Sequence, residues 1–243
     1  MALSLERQEA YRRRYAAETA GWRPATHVYR DVVAARLRPS IRILDLGCGR
    51  GGILEQLYPQ VGRAVGVDPD RVSLCDHRIA GFPLACAFAA ALPFPAGAFD
   101  LICCSWVLEH LAQPAPALAE VSRLLAPGGR FVFVTPNRRH PLLWLNRSAA
   151  CSRSGWVNRL YGRAEADTFP AFYRANSPAA IASLVRGAGL ELVDLVLVDD
   201  PTYLAFNDLF YRLSCWLARC TPADMRVHIV GEAGKPALPT PAR

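Results

Sequence analysis

The chain has 243 residues, 52% of them hydrophobic, enough to bury one substantial core as a single decorated domain. The formal net charge of +7 rests on Arg at 27 of the 28 basic positions, Lys235 being the exception, and the longest basic run is Arg12-Arg13-Arg14. That run carries no interleaved aromatic platform, so the charge reads as an Arg-rich surface, or as a site for an anionic substrate or membrane surface, and no nucleic-acid partner is expected.

The first 40 residues read as a basic helical cap. Residues 3–20 lack glycine and proline, and a second helix is predicted from Pro24 to Leu37, with Pro39 stopping it. Strand and helix signals then alternate, the mark of a parallel sheet covered on both faces. Strands are predicted at 41–46, 64–67, 84–88, 101–105 and 130–135, with helices at 51–57, 70–80 and 114–125. Residues 136–176 interrupt the alternation for about 40 positions, longer than an ordinary connection, and read as a lid or small insertion. Ser177-Pro178 then caps a helix reaching Gly187, and 190–198 is predicted as a strand. A helix from Tyr203 to Cys220 places Phe206, Leu209, Phe210, Leu213, Trp216 and Leu217 at spacings of three and four. That apolar face is expected to pack on the sheet, to cover a lipophilic substrate, or to lie on a membrane. Asp208, with Arg212 and Arg219 as the only flanking bases, speaks against a strong anchor. A strand at 226–230 and a frayed tail close the chain. The divisions are thus 1–40, 41–135, 136–176, 177–235 and 236–243.

Eight cysteines form no C-x-x-C pair and no His/Cys ligand cluster, which suits a reduced compartment. No signal sequence or uninterrupted apolar stretch of about 18 residues is legible, so the expectation is a cytoplasmic protein without an integral membrane segment.

The densest chemical signal is Ile41-Arg42-Ile43-Leu44-Asp45-Leu46-Gly47-Cys48-Gly49-Arg50-Gly51-Gly52, a β-branched strand, an acid, then a glycine-rich turn opening a helix. Glycines there let backbone approach a nucleotide where a side chain would collide. Gly47, Gly49 and Gly52 satisfy the dinucleotide pattern G-x-G-x-x-G, with Asp68 about 20 residues on, so a nicotinamide-dependent oxidoreductase is one reading. Asp45 favours another, because a carboxylate there crowds a pyrophosphate and suits a cation.

Taken together, D-L-G-C-G-R-G-G, V-G-V-D-P-D, A-L-P-F-P-A-G-A-F-D-L-I and L-L-A-P-G-G-R-F-V-F resemble the class I S-adenosylmethionine-dependent methyltransferases, in the broad branch that acts on small molecules. The resemblance spans residues 41–135 most strongly. It implies an α/β, Rossmann-like fold with a mostly parallel seven-stranded sheet in the order 3-2-1-4-5-7-6, the last strand antiparallel, and helices on both faces. It implies S-adenosyl-L-methionine as cofactor, with Gly47, Cys48 and Gly49 beneath the methionine and ribose portions and Asp45 on the ammonium side. Asp68 would take both ribose hydroxyls and Pro69 would pack on adenine. Relatives often carry an adenine-binding acid where this chain has Phe88, followed by Ala89, leaving adenine to backbone and apolar contact.

Ser105 and Trp106 would wall the same pocket, just beyond the fourth strand. Some relatives hold a divalent metal there with E-x-x-E-H, but Trp106 replaces the first Glu and only Glu109-His110 remain, so no metal is expected. His110 is the candidate general base, unless the Glu109-His110 pair serves only to position the loop. The expected reaction is O- or C-methylation of a small-molecule acceptor, lipophilic or anionic, with peripheral membrane contact compatible. A catalytically inactive, regulatory relative is the non-enzyme alternative. Acceptor contacts are sought among Tyr11, Tyr15, Trp22, Arg23, Asn137, His140, Tyr161 and Tyr173.

Overall fold

The computed structural model describes residues 4–58, 61, 63–143 and 169–237; Tyr161, most of the 136–176 insertion and nearly all of the tail lie outside them. Strands β1 (Arg42–Leu46), β2 (Arg63–Asp68), β3 (Leu84–Cys86), β4 (Phe99–Ser105), β5 (Leu125–Pro136), β6 (Glu191–Val198) and β7 (His228–Gly234) form one sheet in the order β3-β2-β1-β4-β5-β7-β6. The pairings β1–β2, β1–β4, β2–β3 and β4–β5 are parallel, while β7 runs antiparallel to both β5 and β6. This is the expected Rossmann-like methyltransferase order.

Alternation along the strands divides the core between two layers. Ile41, Ile43, Leu101, Cys103, Val132 and Val134 face α2 (Ala25–Ala34), which supplies Tyr29 and Val33, and α3 (Ile53–Leu57), while α1 (Leu5–Glu18) packs apart from them, Tyr15 clustering with Ala205, Tyr211 and Cys215. Leu44, Leu46, Ile102, Cys104, Phe131 and Phe133 face the other layer, with Leu118 and Val121 of α5 (Pro114–Leu124) and Ile181 and Val185 of α6 (Pro178–Gly187). Phe131 and Phe133 are fully buried, each worth about 1.5–3 kcal/mol relative to exposure.

Several elements depart from expectation: β3 stops at Cys86 rather than residue 88, β5 starts at Leu125 rather than residue 130, and three more differ for identifiable reasons. The helix predicted over 70–80 is only α4, Arg71–Cys75. Asp70 caps it by accepting from Val72 and Ser73 N–H, but beyond Asp76 the chain is tied back, Arg78 N–H donating to the Arg50 carbonyl at 2.9 Å. The predicted strand at 226–230 instead runs from His228 to Gly234. Its second half, Gly-Glu-Ala-Gly, is a poor strand former locally, yet Gly231 is demanded because a Cβ there would stand 2.2 Å from the Phe133 ring. Glu232 is answered by Arg36 at 2.7 Å.

The helix predicted over 203–220 is broken. Asp200 starts a 3-10 turn over Pro201–Leu204, its Oδ1 accepting from Thr202 N–H, and Asn207 starts a separate helix, α7 (Asp208–Cys220), by accepting from Phe210 N–H at 3.0 Å. Two good caps within eight residues outcompete a continuous helix. Nor does the predicted apolar face lie on the sheet. Tyr211, Ser214 and Cys215 are the buried residues of α7, and Tyr211 stacks on Tyr11 of α1 with ring centroids 4.8 Å apart. The α1 helix is also pinned over the sheet edge by Arg12, whose guanidinium lies 2.8 Å from the buried Asp200 carboxylate.

Candidate active site

The turn after β1 is held open by backbone geometry. Gly47, Gly49 and Gly51 adopt φ of +77°, +50° and +127°, the region that L side chains avoid. Gly47 N–H and Cys48 N–H both donate to the Val67 carbonyl, at 2.7 and 3.1 Å, binding the turn to the end of β2. A Cβ at Gly47 would fall 2.1 Å from Val107 Cγ2, whereas one at Gly49 would meet nothing nearer than Asp68 Oδ2 at 4.0 Å. The ledge is therefore closed beneath and open above. The Cys48 side chain turns inward, into space that Gly66 leaves beside it, and burial pushes its thiol up to about 12; only its backbone faces the ledge.

Two carboxylates flank this ledge with opposite characters. Asp68 is partly exposed and already organised: its Oδ2 accepts from Gly49 N–H at 3.0 Å and its Oδ1 from Asp70 N–H at 2.9 Å. Each oxygen keeps a further lone-pair site for a hydroxyl donor. Asp45 is 2% exposed and no donor among the described residues reaches its carboxylate. Burial, with the Asp68 charge adding to it, raises its pKa from 3.8 to about 7. Ser105 converges here as well, since a Cβ at Gly52 would lie 3.8 Å from Asp45 Oδ2 and 3.9 Å from Ser105 Oγ. Pro69 is exposed beside the ledge and Ala89 half-buried, while Phe88 is 73% exposed.

At the carboxyl end of β4 the chain turns sharply through Trp106, whose φ is +58°. Its N–H donates to the Val134 carbonyl, and its ring meets His228 edge-on with centroids 5.0 Å apart. His228 opens β7 opposite Pro136, so the antiparallel strand delivers a side chain to the carboxyl edge of the parallel ones. Its Nε2 is 2.8 Å from the Tyr203 hydroxyl; Nδ1 is buried without a partner among the described residues, and burial lowers the ring's pKa to about 4. His228 is accordingly neutral.

His110 ends a 3-10 turn over Leu108–His110. Its Nδ1 lies 2.9 Å from the Pro170 carbonyl. A carbonyl only accepts, so Nδ1 carries a hydrogen and, in the neutral ring, Nε2 presents its lone pair. Glu109 is buried beneath, its Oε2 accepting from the Thr135 hydroxyl at 3.0 Å, which in turn accepts from Asn176 Nδ2 at 2.6 Å. Phe172 and Tyr173 N–H both donate to the Glu109 carbonyl, fastening 169–176 over this turn. Burial raises the Glu109 pKa.

The family model described as a methyltransferase domain matches residues 11–195. The chain belongs to that methyltransferase family. It is 33% identical over 185 residues to a ubiquinone biosynthesis O-methyltransferase from Thiobacillus denitrificans, covering 71% of this chain and 72% of that protein. Among solved structures, an S-adenosylmethionine-dependent methyltransferase from Mesorhizobium loti has the same fold at a TM-score of 0.60 and 19% identity, covering 84% of this chain and 96% of that one. Geranyl diphosphate C-methyltransferase from Streptomyces coelicolor, solved with S-adenosyl-L-homocysteine, has a TM-score of 0.60 at 16% identity, covering 86% and 77%. Nothing here supports the oxidoreductase reading of the same glycines.

As a methyltransferase, the chain uses S-adenosylmethionine, and its residues fit that group. A ledge of left-handed glycines leaves room for a nucleoside to approach the backbone, and a buried carboxylate with no donor among the described residues would suit a cation. The sign of the Asp45 shift yields a test. Without cofactor, Asp45 keeps its proton up to about pH 7, and the fold loses the associated stability as pH rises from the unfolded value towards that point. A cation beside it favours the ionised form, so binding should expel a proton. Calorimetry with adenosylhomocysteine at pH 6.5, in buffers of different ionisation enthalpy, is expected to show proton release that Asp45→Asn abolishes.

The methyltransferase uses most residues sought as acceptor contacts for packing. Tyr11 bonds Asp208, Tyr15 meets Trp22 edge-on, Trp22 Nε1 donates to the Asp199 carbonyl and Arg23 pairs with Asp31. Asn137 Nδ2 bridges the Asp224 and Arg226 carbonyls, and His140 Nδ1 accepts from Leu142 N–H. Tyr173 remains near the site through its backbone. Sequence reasoning missed His228, Tyr203, Thr135 and Asn176. For His228 no signal existed, because its position depends on an antiparallel register set about 90 residues from its partner strand.

Proposed function

We propose that this methyltransferase transfers the methyl group of S-adenosylmethionine to a hydroxyl oxygen on a small, flat, lipophilic acceptor, a phenol or an enol. The observation that carries the reading is the fixed tautomer of His110, which leaves Nε2 as a proton acceptor at the carboxyl edge of β4. The exposed rings of Phe169, 6.0 Å from His110, and Phe172 provide an apolar rim for a planar acceptor. The O-methyltransferase name of the T. denitrificans relative supports the same choice.

When bound, the sulfonium supplies an electrophilic methyl carbon and leaves as a neutral thioether. The protein's part is alignment, exclusion of water and removal of one proton. Asp68 with Gly49 would fix the nucleoside through its sugar, Asp45 and Ser105 would receive the ammonium end, and Pro69, Phe88 and Ala89 would lie along the base. His110 Nε2 would take the acceptor's hydroxyl proton as the oxygen–carbon bond forms, its ring held by the Pro170 carbonyl. Trp106, braced by His228 and Tyr203, would wall the acceptor side.

His228 is here a positioning residue, which separates it from His110 experimentally. His228→Phe is expected to raise the acceptor KM about tenfold, in line with the loss of one well-placed buried contact. Adenosylhomocysteine affinity and the pH–rate profile should hardly move. The reaction itself is tested by incubating the chain with methyl-labelled S-adenosylmethionine and a panel of phenols, thiols and amines. Label in phenolic ethers supports O-methylation, and label confined to amines or carbon contradicts it.

A further inference from the structure

Among the described residues, the outer face of α7 gathers five exposed large apolar side chains on one helix. Leu209 and Trp216 are 75% and 59% exposed, and Phe210, Leu213 and Leu217 complete one arc of the helix, opposite the Tyr211–Ser214–Cys215 face buried against α1. Contiguous exposed side chains of this size mark a contact surface. We propose that this face seats the protein peripherally on an anionic lipid bilayer.

Charge selects that occupant. Arg212 and Arg219 flank the apolar arc, are exposed and form no ion pair with a described residue. The acids nearby are already engaged. Asp208 accepts from Tyr11 and Arg14, and Glu18 from Arg14 and Tyr211. A cleft of about 270 Å³ between α1 and α7 brings Arg14, Arg212, Arg219 and Trp216 together with Glu18; Arg14 answers that one acid, leaving Arg212 and Arg219 to face a phosphate head group. Two copies packed through α7 would instead bring these Arg side chains together with no free acid to answer them. Trp, Phe and Leu on one face with Arg at its margin is the arrangement of a helix lying in the interfacial plane. No helix among the described residues is long and apolar enough to cross a membrane, so the contact is peripheral. The 3-10 turn immediately before α7 carries Tyr203 to His228, whose ring in turn meets Trp106, so a seated α7 sets the acceptor edge beside the lipid, where a lipophilic acceptor would reside.

The test is co-sedimentation of the full chain with phosphatidylcholine vesicles, pure or containing one third phosphatidylglycerol. The expected result is pelleting with the anionic vesicles, reduced about tenfold or more by Trp216→Glu and by Leu213→Glu. The Arg212→Gln/Arg219→Gln double variant should lose the preference for anionic lipid. Adenosylhomocysteine affinity, unchanged in every variant, shows the fold intact independently of the acceptor's identity. Wild-type protein remaining in solution with both vesicle types overturns the proposal. So does a Trp216→Glu variant that pellets like wild type, or a dimer that Trp216→Glu dissolves in a protein that binds no vesicles.

Discussion

Asp68→Ala should raise the dissociation constant for adenosylhomocysteine by roughly 10- to 150-fold, about 1.5–3 kcal/mol, the scale of a lost charged hydrogen bond. The effect belongs at the upper end because the carboxylate has two tasks. It would bind the sugar hydroxyls, and it already accepts from Gly49 and Asp70 N–H, holding the glycine turn against the end of β2. Alanine removes both, whereas Asp68→Asn keeps one acceptor oxygen and should fall between. Titration calorimetry reads the constants. An Asp68→Ala protein that binds as wild type would refute the sugar-binding role.

His110→Ala should lower kcat by about 10²–10³-fold, within the range for a general base, while cofactor affinity stays within about twofold. The acidic limb of the pH–rate profile should disappear, because the group whose protonation produced it is gone. Acceptor acidity separates base catalysis from loop positioning. A phenol acidic enough to be ionised at the assay pH needs no base, so with that acceptor the defect should shrink to a few-fold. An equal defect for acidic and ordinary phenols would reduce His110 to a residue that merely orders the 169–176 segment through Pro170.

The order of the sheet is not local: it came from the resemblance of the four motifs, periodicity supplying only the alternation, whereas the glycine-rich turn after β1 was legible because it is local. Asp45, Gly47 and Gly49 lie within five positions, and a strand feeding such a turn has few alternatives. The position of Asp68 at the end of β2 was legible in the same way, one crossover later. The exposure of Phe88 was not, because it depends on β3 ending at Cys86 rather than two residues further on. The broken 203–220 segment shows a different limit. Its apolar spacing of three and four is genuine, but Asn207 and Asp200 cap separate elements, and the periodicity cannot say whether an apolar stripe meets protein or lipid. The bracing of Trp106 lay furthest from reach, since it joins β4, β7 and the Tyr203 turn across more than 120 residues.

The roles proposed for Asp45, Asp68 and His110 all require the glycine ledge between β1 and β2 to be the seat of a sulfur nucleoside. A crystal structure of the chain soaked with adenosylhomocysteine tests it most directly. The nucleoside should lie over Gly47–Gly49 with its ribose hydroxyls on Asp68 and its ammonium end towards Asp45. A ledge left bare in a crystal where the compound is bound elsewhere, or one that admits a nicotinamide dinucleotide instead, would contradict it.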